Sequence, residues 1–252
     1  MTGKKREAGI GYEAIADELR SRIESGELAP GAKVPGEKEL MATHGVSRDT
    51  AYRALMAIRA EGLTVGRQGA PTRVRTVERI RRRADKRLSV EVWGEGRSMW
   101  SVDVVDREPE VRDLHVDRVP AAEAVAKRLG LEVGQPVVRR ARRYVLDGKP
   151  VMTAVSYIPS DLADGTRIAQ DDTGEGGIYG RLKDLGHAPK SLPEEIRCRM
   201  PKVAEKAQLE LAPGTPVIEI IRCAIEESGR VVEMNEMVLD ASSYVLEYIV
   251  SA

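Results

Sequence analysis

Two arginines at the start of one predicted helix are the side chains best suited to contact a polyanion. Arg48 and Arg53 follow Ser47, a residue type that caps helix N-termini, and the apolar residues at helical spacing turn both arginines away from the core. A guanidinium donates two parallel hydrogen bonds to a guanine edge or a phosphate. These residues indicate nucleic-acid recognition.

Three short helices are predicted to position these arginines. Apolar spacing predicts the first helix over residues 12–23 and a second, short helix over 37–43. Gly45 supplies a tight turn before the third helix, which runs from 47 to about 60, with Ala51, Leu55 and Ile58 as its buried stripe. This order is that of a helix-turn-helix, whose last helix lies in the major groove of DNA. For the helices alone, a structural three-helix bundle is an equally good interpretation.

A basic hairpin predicted after the third helix makes DNA binding the more specific interpretation. Strand-like segments at 63–67 and 72–75 flank a turn at 68–71, as in a wing. The charge distribution agrees, because residues 1–87 carry 19 Lys and Arg against 12 Asp and Glu, a net charge of +7. The rest of the chain carries 21 against 28, a net charge of −7, so only the N-terminal part is suited to a polyanion.

Residues 10–75 resemble the GntR family of bacterial regulators. The segments VPGEKEL (34–40), GVSRDTAYRAL (45–55) and EGL (61–63) carry the resemblance. It implies that the following residues lie at or near DNA, the last two at the wing tip: Lys38, Ser47, Arg48, Thr50, Arg53, Gln68 and Gly69. The alternatives are a purely capping role for Ser47, a helix-surface position for Thr50 and a solvated surface position for Lys38.

The chain departs from the usual family pattern at three positions near the predicted DNA contacts. Gly36 stands where Ser is common, Asp49 where Thr is common and Tyr52 where Arg is common. Asp49 would repel phosphate unless it accepts a hydrogen bond from a cytosine amine or pairs with Arg53. Tyr52 is predicted either to contact DNA or to pack on the wing. These departures leave DNA binding in place and predict an altered operator sequence.

A basic segment connects the two halves of the chain. Residues 76–88 contain six Lys and Arg and lack the apolar spacing of a core helix. We expect an exposed linker over 76–98, whose charge either adds phosphate affinity or is only solvated.

The C-terminal half contains an internal repeat at an offset of 80 residues. Ala124, Leu129 and Leu131 match Ala204, Leu209 and Leu211, and each copy continues through a Gly-x-Pro turn into a strand and a hairpin. The pattern predicts an α+β domain over 99–252, an antiparallel sheet with two similar lobes. A cleft between such lobes is a natural ligand site.

This half resembles the UTRA domain, the effector-binding partner of the helix-turn-helix in the HutC branch of GntR regulators. Arg142, the segments 147–151 and 156–159, and Glu233 carry the resemblance, which implies a fold like that of chorismate lyase with an effector between the lobes. The predicted effector-binding residues are Arg142, Tyr144, Thr153, Ser156, Tyr179, Glu233 and Asn235. The alternatives are ordinary strand positions for Tyr144, Thr153 and Ser156, a core position for Tyr179, and a structural pair of Glu233 with Arg142.

Departures from the sugar-phosphate-sensing members predict a less anionic and more apolar effector. Tyr144 stands where those members have a second Arg and Ala154 where they have a Glu, and further hydroxyl donors are replaced near Gly177, Met237 and Leu239. A phosphate needs several charge-assisted donors to offset its desolvation. The sequence therefore predicts a small-molecule effector that is not a sugar phosphate.

Enzymatic chemistry finds little support in the sequence. His44, His115 and His187 are scattered, no group of residues has metal-ligand spacing, and no cofactor is expected. The alternatives are a chorismate-lyase-like enzyme and a ligand-free, partner-binding DNA protein. Cys198 and Cys223 predict no disulfide framework, and without a signal peptide or a membrane span we expect a soluble cytoplasmic protein. We expect a homodimeric repressor that binds a pseudo-palindromic operator on double-stranded DNA.

Overall fold

The fold is that of a computed structural model, which describes residues 10–66, 71–75, 79–83 and 109–249. The chain divides into two units, one of residues 1–78 with 212–215 and one of residues 79–211 with 216–252. Within these described ranges, no helix is long and apolar enough to cross a membrane.

The first unit is a winged helix-turn-helix, as predicted. Its helices are α1 (Tyr12–Glu24), α2 (Glu37–His44) and α3 (Arg48–Ala60). The wing strands β1 (Thr64–Val65) and β2 (Arg73–Val74) pair antiparallel.

The buried stripe of α3 differs by one residue from the predicted one. Ala51 and Ile58 are fully buried as predicted, Ala54 is also fully buried, and Leu55 is only partly buried. The small Ala51 and Ala54 side chains let α3 approach α1 closely. Gly45 has a φ of +65°, the left-handed conformation that the turn between α2 and α3 requires.

The second unit is built on an antiparallel sheet with helices on it, which confirms the α+β prediction. The hydrogen-bonded order is β4-β5-β6-β10-β9-β7, and β8 also pairs with β9. The strands are β4 (Pro109–Pro120), β5 (Pro136–Leu146), β6 (Lys149–Pro159), β7 (Pro189–Ser191), β8 (Glu194–Arg199), β9 (Val217–Glu226) and β10 (Val231–Asp240). The helices are α4 (Glu123–Leu129), α5 (Ser160–Ala163), α6 (Gly177–Asp184) and α7 (Val203–Gln208), with a 3₁₀ turn at Arg167–Ala169.

The two sequence repeats form two equivalent hairpins that join edge to edge. The first hairpin is β5-β6, the second is β9-β10, and β6 pairs with β10. Ala154 lies opposite Met237, Ser156 opposite Asn235, and Val155 opposite Glu236. After the hairpin turns, each residue of the first copy corresponds to the residue 81 positions later in the second copy. Val155 thus corresponds to Glu236 and also pairs with it, so a local twofold axis passes through this pair. The two copies are therefore the related halves of one continuous antiparallel sheet, which agrees with the repeat.

Two apolar clusters cover opposite ends of one face of this sheet. At one end Ile80 and Tyr244 pack with Met152, Ile220 and Leu239. At the other end α5, the 3₁₀ turn and α6 contribute apolar side chains that pack on Val138, Ile158, Ala224 and Val232. The middle of the face, between these clusters, is left for the site described below.

The predicted exposed linker is wrong for Ile80 and Arg82, whereas the Arg81 side chain is 71% exposed. Residues 80–83 form β3 (Ile80–Arg83), which pairs in parallel with β11 (Tyr244–Glu247). Ile80 is 3% exposed and Arg82 is 1% exposed. The charge of Arg82 is tolerated in this buried position because Arg82 forms an ion pair with Glu194, whose side chain is itself buried.

Candidate functional site

The N-terminus of α3 presents the predicted DNA-contacting side chains. Ser47 caps the helix, since its hydroxyl accepts a hydrogen bond from the backbone N–H of Thr50 at 3.2 Å. The Thr50 and Ser47 hydroxyls also lie 2.9 Å apart. The cap leaves the positive end of the helix dipole facing outward, where it favours an anion.

Arg48 projects from this terminus with its side chain 80% exposed. Its Nε donates to Oε2 of Glu37 at 2.7 Å, which holds the guanidinium near the start of α2. This hydrogen bond raises the pKa of Arg48, so the side chain is charged at any physiological pH. An exposed, charged and oriented guanidinium is ready for a base edge or a phosphate.

Arg53 lies one helical turn further along and stacks on an aromatic ring of α1. Its Cζ lies 4.0 Å from the centroid of the Tyr12 ring, a cation–π contact. Arg53 therefore has an aromatic partner where the sequence suggested Asp49. The stacking limits the rotamers of Arg53, which lowers the entropy that it would lose on binding a ligand.

The remaining predicted DNA-contacting residues differ in exposure. Lys38 and Tyr52 are exposed and Thr50 is partly buried. Tyr52 is 50% exposed, so its ring is free to meet a ligand. Gln68 and Gly69, predicted at the wing tip, lie outside the described residues.

Removing the Ser47 cap should destabilise the first unit. Ser47→Ala is expected to lower its free energy of unfolding by about 1 kcal/mol, because the N–H of Thr50 loses its acceptor. Ser47→Asn keeps an acceptor and should keep most of the stability. Thermal unfolding of both variants checks this, and equal stability of the two would show that the cap contributes nothing.

The second unit contains a cavity of about 340 Å³ over the middle of the sheet face, at the junction of the two hairpins. Its floor is formed by β5, β6, β9 and β10. Its cover includes residues 171–174 and 176–178 at the start of α6, with Val111 and Leu114 of β4 at the side. This volume is within the range of small-molecule sites.

Arg142 is held in the cavity wall by neighbours on its own sheet. Its Nε donates to the Tyr144 hydroxyl at 2.7 Å, and its Nη1 donates to the Ser156 hydroxyl at 3.0 Å and to the Arg140 carbonyl at 3.1 Å. Ser156 is fully buried and lies behind Arg142. Arg142 and Tyr144 line the cavity, and Ser156 orients the guanidinium without lining it.

Arg140 fastens the cover of the cavity to the sheet. Its guanidinium donates to the carbonyl oxygens of Ile168 at 2.7 Å and Asp171 at 2.9 Å, and also to that of Gln170. Burial lowers the pKa of Arg140, and the neighbouring Arg142 lowers it further. The three carbonyl acceptors offset the burial of the charge and fix the segment that leads into the cavity cover.

The second repeat contributes Arg222, which lies between two carboxylates. Arg222 Nη1 is 4.0 Å from Glu194 Oε1, and Nη2 is 3.9 Å from Glu233 Oε2. The Arg222 Cζ also lies 5.5 Å from the centroid of the Tyr179 ring. The contact of Glu233 with Arg222 differs from the Glu233–Arg142 pair suggested by the sequence.

Tyr179 and Asn235 complete the polar lining. Tyr179 is 2% exposed, its hydroxyl interacts with Glu233, and burial raises its pKa well above the usual range. Asn235 is also 2% exposed, and its Oδ1 accepts no hydrogen bond from any residue that the structure describes. A buried acceptor without a donor costs free energy, so this atom can receive a ligand's donor.

The cavity brings together five of the seven predicted effector-binding residues: Arg142, Tyr144, Tyr179, Glu233 and Asn235. Thr153 does not belong with them. Met152 and Ala154 line the cavity, and neighbouring residues of a strand point to opposite faces, so Thr153 faces away from it.

Two arginines that line the cavity, Arg140 and Arg222, were not predicted from the sequence. Arg222 occupies the position of Arg142 in the second repeat, 80 residues further on, so the repeat itself could have identified it. Arg140 is two residues before Arg142 and shares its face of β5, a signal that alternation in a strand provides. In the part of the chain that is described, no group of three or more His, Cys, Asp or Glu could hold a metal ion.

A winged helix-turn-helix with exposed arginines on its third helix, followed by a unit with a ligand-sized cavity, defines a DNA-binding regulator with an effector domain. The model of the gntR family of bacterial regulatory proteins matches residues 11–74, and that of the UTRA domain matches residues 105–245. The chain belongs to the GntR family of bacterial transcription regulators and carries a UTRA domain.

The chain is similar to regulators from several bacteria. An uncharacterized HTH-type transcriptional regulator of Streptomyces coelicolor is 32% identical over 88% of this chain and 86% of its own. The HTH-type transcriptional repressor NagR of Bacillus subtilis is 24% identical over 92% of this chain and 91% of its own. The crystal structure of a GntR-family transcriptional regulator matches the fold with a TM-score of 0.64 and 24% identity, over 96% of this chain and 97% of that one. These relatives are transcription regulators, so an enzymatic role is not favoured.

Proposed function

We propose that this regulator is a homodimeric repressor that a small-molecule effector releases from a pseudo-palindromic operator. The observation that carries the proposal is the cavity of about 340 Å³ in the effector domain, with buried charges and an unsatisfied acceptor in its wall. A similar chain named as a repressor supports the direction of regulation. The protein acts in the cytoplasm, where bacterial DNA is accessible to it.

In this proposal α3 enters the major groove of each half-site. Arg48 and Arg53 contact base edges and phosphates, because both are exposed and held by partners that leave their outer donors free for DNA. Around them the proposed DNA-contacting residues are Lys38, Ser47, Thr50 and Tyr52, with Gln68 and Gly69 of the wing. Two copies supply two recognition helices, which is why the operator is expected to have dyad symmetry.

The effector in this proposal carries at most one negative charge, an apolar body and a hydrogen-bond donor. The Arg140 guanidinium is occupied by carbonyls, and Arg142 already donates to Tyr144 and Ser156. Glu233 places a buried carboxylate in the wall, which opposes a phosphate dianion. Asn235 Oδ1 requires a donor, and Met152 and Met237 offer apolar contact. A small organic carboxylate fits these requirements better than a sugar phosphate.

The operator is tested first, by titrating the purified protein against DNA from immediately upstream of its own gene. The titration is made at two salt concentrations with excess nonspecific competitor, because phosphate contacts alone are lost with salt. A footprint with dyad symmetry that survives competitor is expected. Binding that vanishes with salt and competitor, here and at other genomic fragments, would contradict operator recognition.

The effector class is tested with that operator complex. Panels of small organic carboxylates and of sugar phosphates are compared by thermal shift and by release of the operator. A carboxylate that releases wild type should need at least tenfold more ligand with Arg142→Met, and the same amount with the exposed control Arg197→Met. Release by sugar phosphates alone would overturn the proposed effector class.

A further inference from the structure

Four buried charged side chains connect the effector cavity with the linker strand β3. They alternate in sign and are Arg82, Glu194, Arg222 and Glu233. The Arg82 and Glu194 side chains are 0% and 6% exposed, and those of Arg222 and Glu233 are both 2% exposed. Buried ion pairs contribute little net stability compared with apolar side chains of equal volume. Stability alone therefore does not account for these four buried charges.

Glu194 is the central member because it meets an arginine on each side. On the linker side, Arg82 Nη1 donates to Glu194 Oε2 at 2.8 Å, and Arg82 Nη2 donates to Oε1. On the cavity side, Arg222 Nη1 lies 4.0 Å from that same Oε1. Arg222 therefore approaches one of the two Glu194 oxygens that accept hydrogen bonds from Arg82.

The linker strand is also held to the effector domain by its backbone and by Ile80. The Ile80 N–H donates to the Ser243 carbonyl at 2.8 Å, and β3 pairs in parallel with β11. Ile80 packs in the cluster that also contains Met152 and Met237, which line the cavity. In the sequence β3 begins six residues after Val74, the last residue of the wing strand β2. A change in the docking of β3 thus acts on the segment that leads directly from the DNA-binding unit.

We propose that Glu194 couples the cavity to the linker, such that an anionic group bound at Arg222 and the docking of β3 favour each other. This inference rests on the proposed function, in which the cavity holds the effector. An anion bound to Arg222 weakens the attraction between Arg222 and Glu194. The Glu194 carboxylate then interacts more strongly with Arg82. By linkage, a docked Arg82 supplies the positive charge that makes the cavity more favourable for the anion.

The sign of the coupling follows from the alternation of charge. The four side chains sum to zero when β3 is docked, and withdrawal of Arg82 leaves one net negative charge beside the cavity. In a buried environment this excess charge is poorly screened and repels an anion at Arg222. Removal of the Glu233 charge has the opposite effect to that of a bound anion. Arg222 then interacts more strongly with Glu194, which weakens the ion pair between Glu194 and Arg82.

Hydrogen exchange of the full chain tests the coupling without an effector. Glu233→Gln should accelerate exchange of the β3 amides by about fivefold or more, the size expected for one buried charge acting through its neighbours. Asn235→Ala is the matched control, since it alters a buried cavity residue that belongs to no ion pair described above, and should leave β3 exchange unchanged. Unchanged β3 exchange in Glu233→Gln overturns the proposal. So does equal acceleration of β5 and β6, which would indicate general destabilisation.

A double-mutant cycle supplies the second test. In the contacts described above, Arg82 and Glu233 are connected through Glu194 and Arg222. The effects of Arg82→Met and Glu233→Gln on the unfolding equilibrium constant should therefore be nonadditive. We expect the double mutant to differ by about threefold or more from the product of the two single-mutant effects. The cycle of Arg82→Met with Asn235→Ala should be additive. Additivity in both cycles overturns the coupling, and if Arg82→Met does not fold, the exchange experiment alone decides. Neither test uses operator or effector, so their failure leaves the proposed function standing.

Discussion

Arg48→Ala is expected to remove operator binding while the protein stays folded and keeps its oligomeric state. A bidentate arginine contact contributes about 1–3 kcal/mol of discrimination, and a dimer would lose two such contacts. Operator affinity should therefore fall by about thirtyfold or more. Folding should be preserved because the Arg48 side chain is 80% exposed and its ion pair with Glu37 lies at the surface.

The matched control for this prediction is Arg197→Ala. Arg197 is on β8, its side chain is 64% exposed, and its replacement removes the same charge from the other unit. Fluorescence anisotropy with a labelled operator measures both affinities, and circular dichroism confirms the fold. If Arg48→Ala and Arg197→Ala bound the operator equally well, recognition would have to be assigned to a different surface from α3.

Arg140→Met is expected to destabilise the effector domain and loosen the cover of its cavity. The side chain keeps similar length and apolar contacts, but the carbonyls of Ile168, Gln170 and Asp171 lose a charged donor. Hydrogen bonds from charged groups contribute about 1.5–3 kcal/mol each, so a loss of roughly 2–4 kcal/mol in the free energy of unfolding is expected after partial rehydration. Amides in the cover, over residues 171–177, should exchange faster than those of the sheet.

Arg139→Met is the matched control, because it removes an arginine from the same strand without removing the carbonyl contacts of Arg140. Arg139 is the preceding residue, points to the opposite face of β5, and forms a partly exposed ion pair with Asp117. Its replacement should cost less than about 1 kcal/mol. Urea unfolding and hydrogen exchange measure both variants. Equal losses of stability in the two would show that the carbonyl contacts of Arg140 do not hold the cover.

The DNA-binding unit follows from local sequence features. Helical spacing, the Ser47 cap and the Gly45 turn are each readable within a few residues, and each agrees with the structure. The wing strands follow from the turn between them. Such elements are predictable because their main determinants lie in the segment itself.

The linker strand β3 shows where this local reasoning ends. Arginines are among the residues most rarely buried, so Ile80-Arg81-Arg82-Arg83 reads as a solvated segment. Arg82 is buried because Glu194, 112 residues away in sequence, supplies a buried carboxylate. Alternation along the strand could have excluded Thr153, because Thr153 and Ser156 are three residues apart and cannot share a face.

The duplicated hairpins also explain why the cavity has two different ends. An exact twofold repeat would present the same side chains on both sides of the axis, and a ligand could then bind in either of two opposite directions. Arg142 and Arg222 retain the symmetry, whereas Met152 corresponds to Glu233 and Ala154 to Asn235. At these two positions the first copy is apolar and the second is polar, so the two orientations of a ligand are not equivalent. A ligand with one apolar and one polar end therefore has a single preferred orientation in the cavity. The loss of symmetry makes the cavity selective for such a ligand.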